Sequence, residues 1–341
     1  MLGVFKIPTA EYSGVSMSLK ESSQANNKAI DKMPLIIDCD PGQDDALMLF
    51  MALNAPEFDL RGIVAVAGNV PLAATELNIR ILADICNRAD VPLYSGCDKP
   101  MQRSLITAEY VHGKTGIDPL EIYQPQVQLQ TQHGVDFIIE TLTNAVDNEI
   151  TIVATGPMTN IATALCKAPQ LSARIKQIVM MGGAMFEGGN VTPSAEFNVY
   201  LDPEALDIVL KAGRPIFAFG LDVTHKVMSS PKRVAAIRAL GNPVAQAAAD
   251  MLEFFDRYDS EKYASEGAPL HDPCTVAFLL QPEMFKMKAC ACRVELDSEL
   301  TRGHTAVDFW QVTEQPPNIH WAYAVDPEAF FDLLTERLSR Y

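Results

Sequence analysis

The sequence predicts an α/β fold: an open, mainly parallel sheet flanked by helices, Rossmann-like, with a ligand crevice at the carboxyl ends of its strands. Three observations predict it. Short apolar runs alternate with helical patterns along nearly the whole chain. The first run, Leu35-Ile36-Ile37, passes through a Pro-Gly turn into a second apolar stretch, as a buried strand, tight turn and helix do. Polar residues gather where the apolar runs end, which is where ligands bind in such sheets.

Taken in order, the strand-like runs are 35–38, 62–66, 151–154, 177–180, 215–219 and 292–296. Helical spacing covers 44–53, 73–88, 134–145, 158–168, 203–212, 231–240, 243–257, 273–280 and 327–338. Several of these helices open on Pro, which suits the first helical position. Residues 253–270 are expected to form a mobile or helical excursion before the last core helix. Residues 1–32 are rich in Ser, Asn and Lys, lack the apolar centre of a signal peptide, and are expected to be a polar extension. Residues 33–341 are expected to be one domain, without internal repeat or long linker.

Composition narrows the function. Nearly half of the 341 residues are apolar, so a large core is available. The net charge of −16 repels nucleic acid and anionic membrane, and no apolar run is long enough to span a bilayer. The seven cysteines are odd in number and include no CxxC pair, which fits reduced thiols in a cytoplasmic protein. Cys290 and Cys292 are expected on one face of a strand.

The first junction carries the chemistry. In Asp38-Cys39-Asp40-Pro41-Gly42-Gln43-Asp44-Asp45-Ala46, four acids crowd one strand end and one helix start. A helix N-terminus accommodates one or two anions. Four repel one another unless a cation sits among them, and an all-oxygen set points to Ca²⁺ or Mg²⁺. The plainer reading is that Asp44 and Asp45 only complement the helix end. An EF-hand is excluded, because Gln43 and Leu49 stand where its loop needs Gly and Glu.

Other strand ends add groups. The run at 62–66 leads to Asn69, and the run at 151–154 to Thr155-Gly156-Pro157, otherwise a plain turn. His271-Asp272-Pro273 reads as an N-cap beside a histidine. Glu187, Asn190, Glu196, Asn198 and Asp202 mix carboxylates with amides, a set suited to a polyol, against the alternative of a solvated loop. His112 lies in a Gly-bounded loop too poor in glycine for a P-loop.

These residues closely resemble the nucleoside hydrolases, which cleave the N-glycosidic bond of ribonucleosides. The resemblance is carried by the acidic junction, Ala67-Gly68-Asn69, His112-Gly113, Thr155-Gly156-Pro157, Met181-Gly182-Gly183, Glu196-Phe197-Asn198, Gly220-Leu221-Asp222-Val223-Thr224 and His271-Asp272-Pro273. It runs from about Pro34 to the C-terminus, and 267–274 looks most like the pyrimidine-specific ribonucleoside hydrolases. It implies one Ca²⁺ held by Asp40, Asp45, Asp272 and the main-chain carbonyl of Thr155, with a water and the ribose 2′- and 3′-hydroxyls completing the shell. Asp44, Asn69, Asn190, Glu196 and Asn198 would hold the ribose, and Phe197 would pack near the base. Asp40 would act as general base on the attacking water, and His271, with His112 assisting, would meet the leaving base. Tyr258, with Phe254, Phe255 and Tyr263, is a candidate base-side wall or simply core. The resemblance further implies a homo-oligomer, dimer or tetramer, acting in pyrimidine nucleoside salvage. Two rivals stand beside it: a Mg²⁺ phosphotransferase or phosphatase with an aspartate nucleophile, and a non-catalytic Ca²⁺- or ribose-binding protein. The first lacks a phosphate-binding Lys or Arg at the junctions; the second leaves both histidines without a purpose.

Overall fold

The first apolar run forms strand β1 (Met33–Cys39), and the Pro-Gly turn behind it releases the chain into helix α1 (Gln43–Leu53). A computed structural model describes residues 32–263 and 267–341, the side chains of 258–263 excepted. The expected extension therefore lies, up to residue 31, outside the described residues. Every residue of α1 is buried, which explains why its sequence is apolar all round rather than on one stripe.

From there the chain alternates as expected. It runs through β2 (Phe58–Ala65), α2 (Leu72–Ile85), β3 (Leu93–Ser95), α3 (Glu109–His112), α4 (Gly134–Asn144), β4 (Ile150–Ala154), α5 (Thr159–Lys167) and β5 (Ile175–Met181). Next come α6 (Phe197–Leu201), α7 (Pro203–Leu210), β6 (Ile216–Phe219), α8 (Leu221–Thr224), α9 (Pro231–Arg238), α10 (Pro243–Tyr263) and α11 (Pro273–Leu280). The last elements are β7 (Phe285–Cys290), β8 (Cys292–Val294), β9 (Thr305–Val307), β10 (Ile319–Val325) and α12 (Pro327–Leu338).

Eight strands form the central sheet in the order β3-β2-β1-β4-β5-β6-β10-β7. All neighbours pair in parallel except β7, which runs antiparallel along β10 at the edge. Successive residues of β1 feed opposite layers: Leu35, Ile37 and Cys39 pack with α1, while Ile36 packs with β4 and α5. The chain leaves β1 toward β2 and β3, then returns to lay β4 on the other flank of β1. That reversal opens a crevice at the carboxyl ends of β1 and β4.

One expected strand sits elsewhere. The run at 292–296 supplies β8, which pairs with β9 in a separate two-stranded sheet. The reason is local: Cys290 ends β7 at the sheet edge, so the chain must turn away before Cys292. Both cysteines are buried, on two different strands, and all seven cysteines are free thiols. The small sheet has a use. Thr305 Oγ1 on β9 donates to the Ala184 carbonyl and accepts from the Ala184 N–H, bracing the loop that follows β5.

Candidate active site

Asp40, Asp44 and Asp45 meet at the crevice because the turn between β1 and α1 is only three residues long. Asp272, at the start of α11, arrives from the far end of the chain. Asp44, Asp45 and Asp272 are buried and offer oxygens within 4.8 Å of one another. Asp45 and Asp40 are fixed by their surroundings. Asp45 accepts from Gly42 N–H at 2.9 Å, from Thr155 Oγ1 at 2.7 Å and from Asn69 Nδ2 at 3.3 Å. Asp40 Oδ2 accepts from Asn69 N–H at 2.8 Å, while Asn69 Nδ2 donates to the Asp40 carbonyl at 3.0 Å. Glycines 68 and 156 flank Asp40 so closely that a Cβ on either would collide with its carboxylate.

Electrostatics single the cluster out. Burial, then the charge of Asp45, pushes Asp40 well above the usual carboxylate range; burial, then Asp44, does the same to Asp272. Burial and Asp45 raise Asp44 to about 7, and burial raises Asp45. Asp40 Oδ1 and Asp44 Oδ1 are buried with no hydrogen-bond partner among the described residues. Buried, unpaired acids need a proton or a cation. The donor set is all oxygen, so the residues fit a hard divalent ion. Asp38, by contrast, lies apart from the cleft beneath Asn160, whose Nδ2 it meets at 3.3 Å, and burial lifts it to about 8.

Beside the acids lies a cleft. It is lined by Asp44, Asn69, His112, Thr155, Asn190, Glu196, Phe197, Asn198, His271 and Asp272, every one of which the sequence had singled out. Tyr258 falls in α10, but its side chain lies outside the described residues. Two assignments gain detail. The Thr155 carbonyl already accepts from Asn198 Nδ2 at 2.7 Å. Asp44, expected to serve the sugar, also belongs to the converging acid group.

Asn190 and Glu196 are held by backbone N–H groups. Asn190 Oδ1 accepts from Phe197 N–H at 3.0 Å, which leaves its NH₂ for a ligand. Glu196 caps the short α6 and accepts from the N–H groups of Gly183 at 2.8 Å, Asn198 at 2.9 Å and Val199 at 3.3 Å. Burial raises it to about 7 despite those donors. The loop between β5 and α6 is anchored at its start by Asp222. That carboxylate accepts from Met185 N–H and Phe186 N–H at 2.7 Å and from Glu187 N–H at 3.1 Å.

Histidines and aromatics form the other wall. His271 Nδ1 lies 2.8 Å from Thr224 Oγ1, and burial, then His225 and His112, holds its pKa well below the ordinary histidine value. His112 stacks on Phe255 with ring centroids 5.4 Å apart, and burial lowers it to about 3. His225 also lines the cleft, 5.7 Å from His271 between ring centroids, with Glu187 Oε1 3.3 Å from its Nδ1. The run at 215–219 ends in Asp222-Val223-Thr224-His225, a strand end expected to face the crevice, and His225 does line it. Gln43 was missed altogether, although its side chain holds His112.

Comparison with known proteins agrees with this geometry. The profile of the family described as inosine-uridine preferring nucleoside hydrolase matches residues 35–332. The chain is 44% identical over 309 residues to the pyrimidine-specific ribonucleoside hydrolase RihA of Photobacterium profundum, covering 90% of this chain and 99% of that one. A plant nucleoside hydrolase, PpNRh1, superposes with a TM-score of 0.85 at 31% identity over 91% of this chain and 99% of its own. The purine-preferring ribonucleoside hydrolase of Gardnerella vaginalis follows at 0.84 and 32%, covering 90% and 98%. Fold and site thus define a hydrolase of N-glycosyl bonds. The chain belongs to the nucleoside hydrolase family.

Proposed function

We propose that this enzyme hydrolyses ribonucleosides to free base and ribose in a Ca²⁺-dependent reaction, with uridine and cytidine preferred. The observation that carries the proposal is one cleft whose lining sets the buried Asp44 Oδ1, without a partner among the described residues, beside amides and carboxylates suited to a sugar diol. Asp40, Asp45, Asp272 and the Thr155 carbonyl are the groups proposed to hold the ion, with Asp44 shared between that cluster and the sugar. When bound, such an ion supplies Lewis acidity and a clamp for neighbouring hydroxyls.

The chain's own residues supply the rest. Asp40 is oriented by Asn69 through Oδ2, so Oδ1 is the atom that takes the proton of the attacking water. Glycosidic cleavage builds positive charge on the ribose, and the neighbouring carboxylates stabilise it. His271, set by Thr224 and neutral in its buried site, meets the departing base, whose growing negative charge draws a proton toward it. Attack by water inverts the configuration at C1′.

The pyrimidine lean is supported by the RihA relatives. It is not a property of the fold, since a purine-preferring enzyme superposes with a TM-score of 0.84. The unpaired thiols support a cytoplasmic setting, and no described helix is long and apolar enough to cross a membrane. A dimer or tetramer belongs to the same proposal; exposed Phe186, Trp310 and Val312 offer surface for association to cover. The test is a kcat/KM panel of uridine, cytidine, inosine and adenosine, with chelator and after Ca²⁺ is restored. Free ribose from the pyrimidine substrates, lost with chelator and recovered with Ca²⁺, is expected. Turnover indifferent to chelator, or fastest with inosine, would refute the corresponding part.

A further inference from the structure

Gln43 stands between the Pro-Gly turn and the acid pair, yet its side chain leaves the acids. It is fully buried, and its Nε2 donates to the carbonyls of His112 at 2.9 Å and Asp118 at 3.0 Å. Carbonyl oxygens only accept, so those two contacts fix which end of the amide is NH₂. The other end, Oε1, lies 2.8 Å from His112 Nδ1. An amide oxygen also only accepts, so Nδ1 must carry the proton. The neutral ring then has its lone pair on Nε2, the nitrogen left for a ligand in the cleft that His112 lines.

We propose that Gln43 is a positioning residue that locks His112 in the Nδ1–H tautomer, so that Nε2 accepts a hydrogen bond from a hydroxyl or ring N–H of the bound nucleoside. The ligand half rests on the nucleoside reading; the tautomer half does not. Packing supports the lock. Phe255 stacks on the ring, and Gly42 lies so near its edge that a Cβ there would stand 2.5 Å from Nδ1. Burial, which lowers His112 to about 3, keeps the ring neutral. The consequence is a division of labour: His112 reads a donor on the ligand rather than assisting with a proton, and His271 alone meets the leaving base.

The test starts with nitrogen-15 spectra of the histidine rings in the whole protein, with His112 assigned by its loss in His112→Phe. A protonated Nδ1 and a bare Nε2 are expected. In Gln43→Met the ring should revert to the Nε2–H form, and KM for uridine should rise about tenfold at near-constant kcat, as loss of one bound hydrogen bond implies. Wild-type protein with the proton on Nε2, or a Gln43→Met ring that keeps Nδ1–H, would overturn the lock. Should that variant not fold, the wild-type spectrum decides alone. For the ligand half, 3-methyluridine and 5′-deoxyuridine each remove one donor. The penalty of one of them should shrink in His112→Phe; if both penalties persist, the acceptor role is wrong. A locked tautomer in a protein that turns over no nucleoside would instead refute the nucleoside reading.

Discussion

The two walls of the cleft are built on different principles. The acid floor stands on strand ends and helix starts of the central sheet, and its carboxylates are pinned by backbone N–H groups and by Asn69 and Thr155. The base-side wall is assembled from a four-residue helix, a long loop and the segment joining α10 to α11. The floor is held by hydrogen bonds from several backbone groups, whereas the wall combines a His112 fixed by Gln43 and Phe255 with a His271 tied through Thr224 Oγ1. Under the proposed function, bond cleavage falls to the strand ends and helix starts of the sheet, and choice of base to the loops and short helices around them.

This contrast can be broken at its strongest point first. Asp40→Asn removes the base while retaining shape, and kcat should fall about 10³-fold or more with any nucleoside. A loss confined to pyrimidine substrates would mean that floor and wall are not separate devices. His271→Phe should be milder and substrate-dependent, about 10²-fold in kcat, with the largest loss for the poorest leaving group. A uniform loss across substrates would return His271 to a purely structural part.

A pH measurement sharpens the same division. Without metal, Asp44 and Glu196 keep their protons to about 7 and Asp38 to about 8, each raised chiefly by burial. Unfolded carboxyls titrate near pH 4 by comparison. The folded state therefore binds more protons in this window, so stability is fully present below about pH 4 and is lost as pH rises through 7 to 8. The metal-free thermal midpoint should drop by several degrees from pH 5 to pH 8, by an order-of-magnitude reckoning. Added Ca²⁺ should recover much of the drop at pH 8 through the floor acids. A midpoint independent of pH would remove the electrostatic case for a cation. The smallest effect is expected from deleting residues 1–31, since the family match begins at 35 and residues from Lys32 on form their own compact unit. Unchanged kcat/KM is expected; a large loss would show that the segment completes the fold or an interface.

The sequence made the helices more legible than the strands. All nine expected helices are present: apolar spacing marks each, and Pro at the first position adds a start signal at α7, α9, α10, α11 and α12. β3 is three residues long, and β7, Phe-Lys-Met-Lys-Ala-Cys, is an edge strand whose lysines interrupt the apolar signal. β10 follows Pro316-Pro317 and mixes His, Trp and Tyr, so its place between β6 and β7 comes from long-range pairing rather than local pattern. At the site, acids and amides could be read because their crowding has no cheap explanation without a ligand. Gln43 could not, because a single amide beside four acids carries no sign of direction until His112 is brought against it. His225, at the end of the Pro215 run, was placed at the crevice by that position, and it lines the cleft.

The Asp222 carboxylate ties down three consecutive amides at the entrance of the loop after β5, and Asn190 fastens its exit to the start of α6. Between those two fastenings lie Gly188, at a φ of +80°, and Gly189, whose N–H donates to the Pro193 carbonyl at 3.2 Å and which leaves no room for a Cβ against the backbone of Thr192 and Ala195. This rim of the cleft is thus pinned at its entrance, middle and exit, so that a change at Asp222 or Asn190 would be felt along the whole loop.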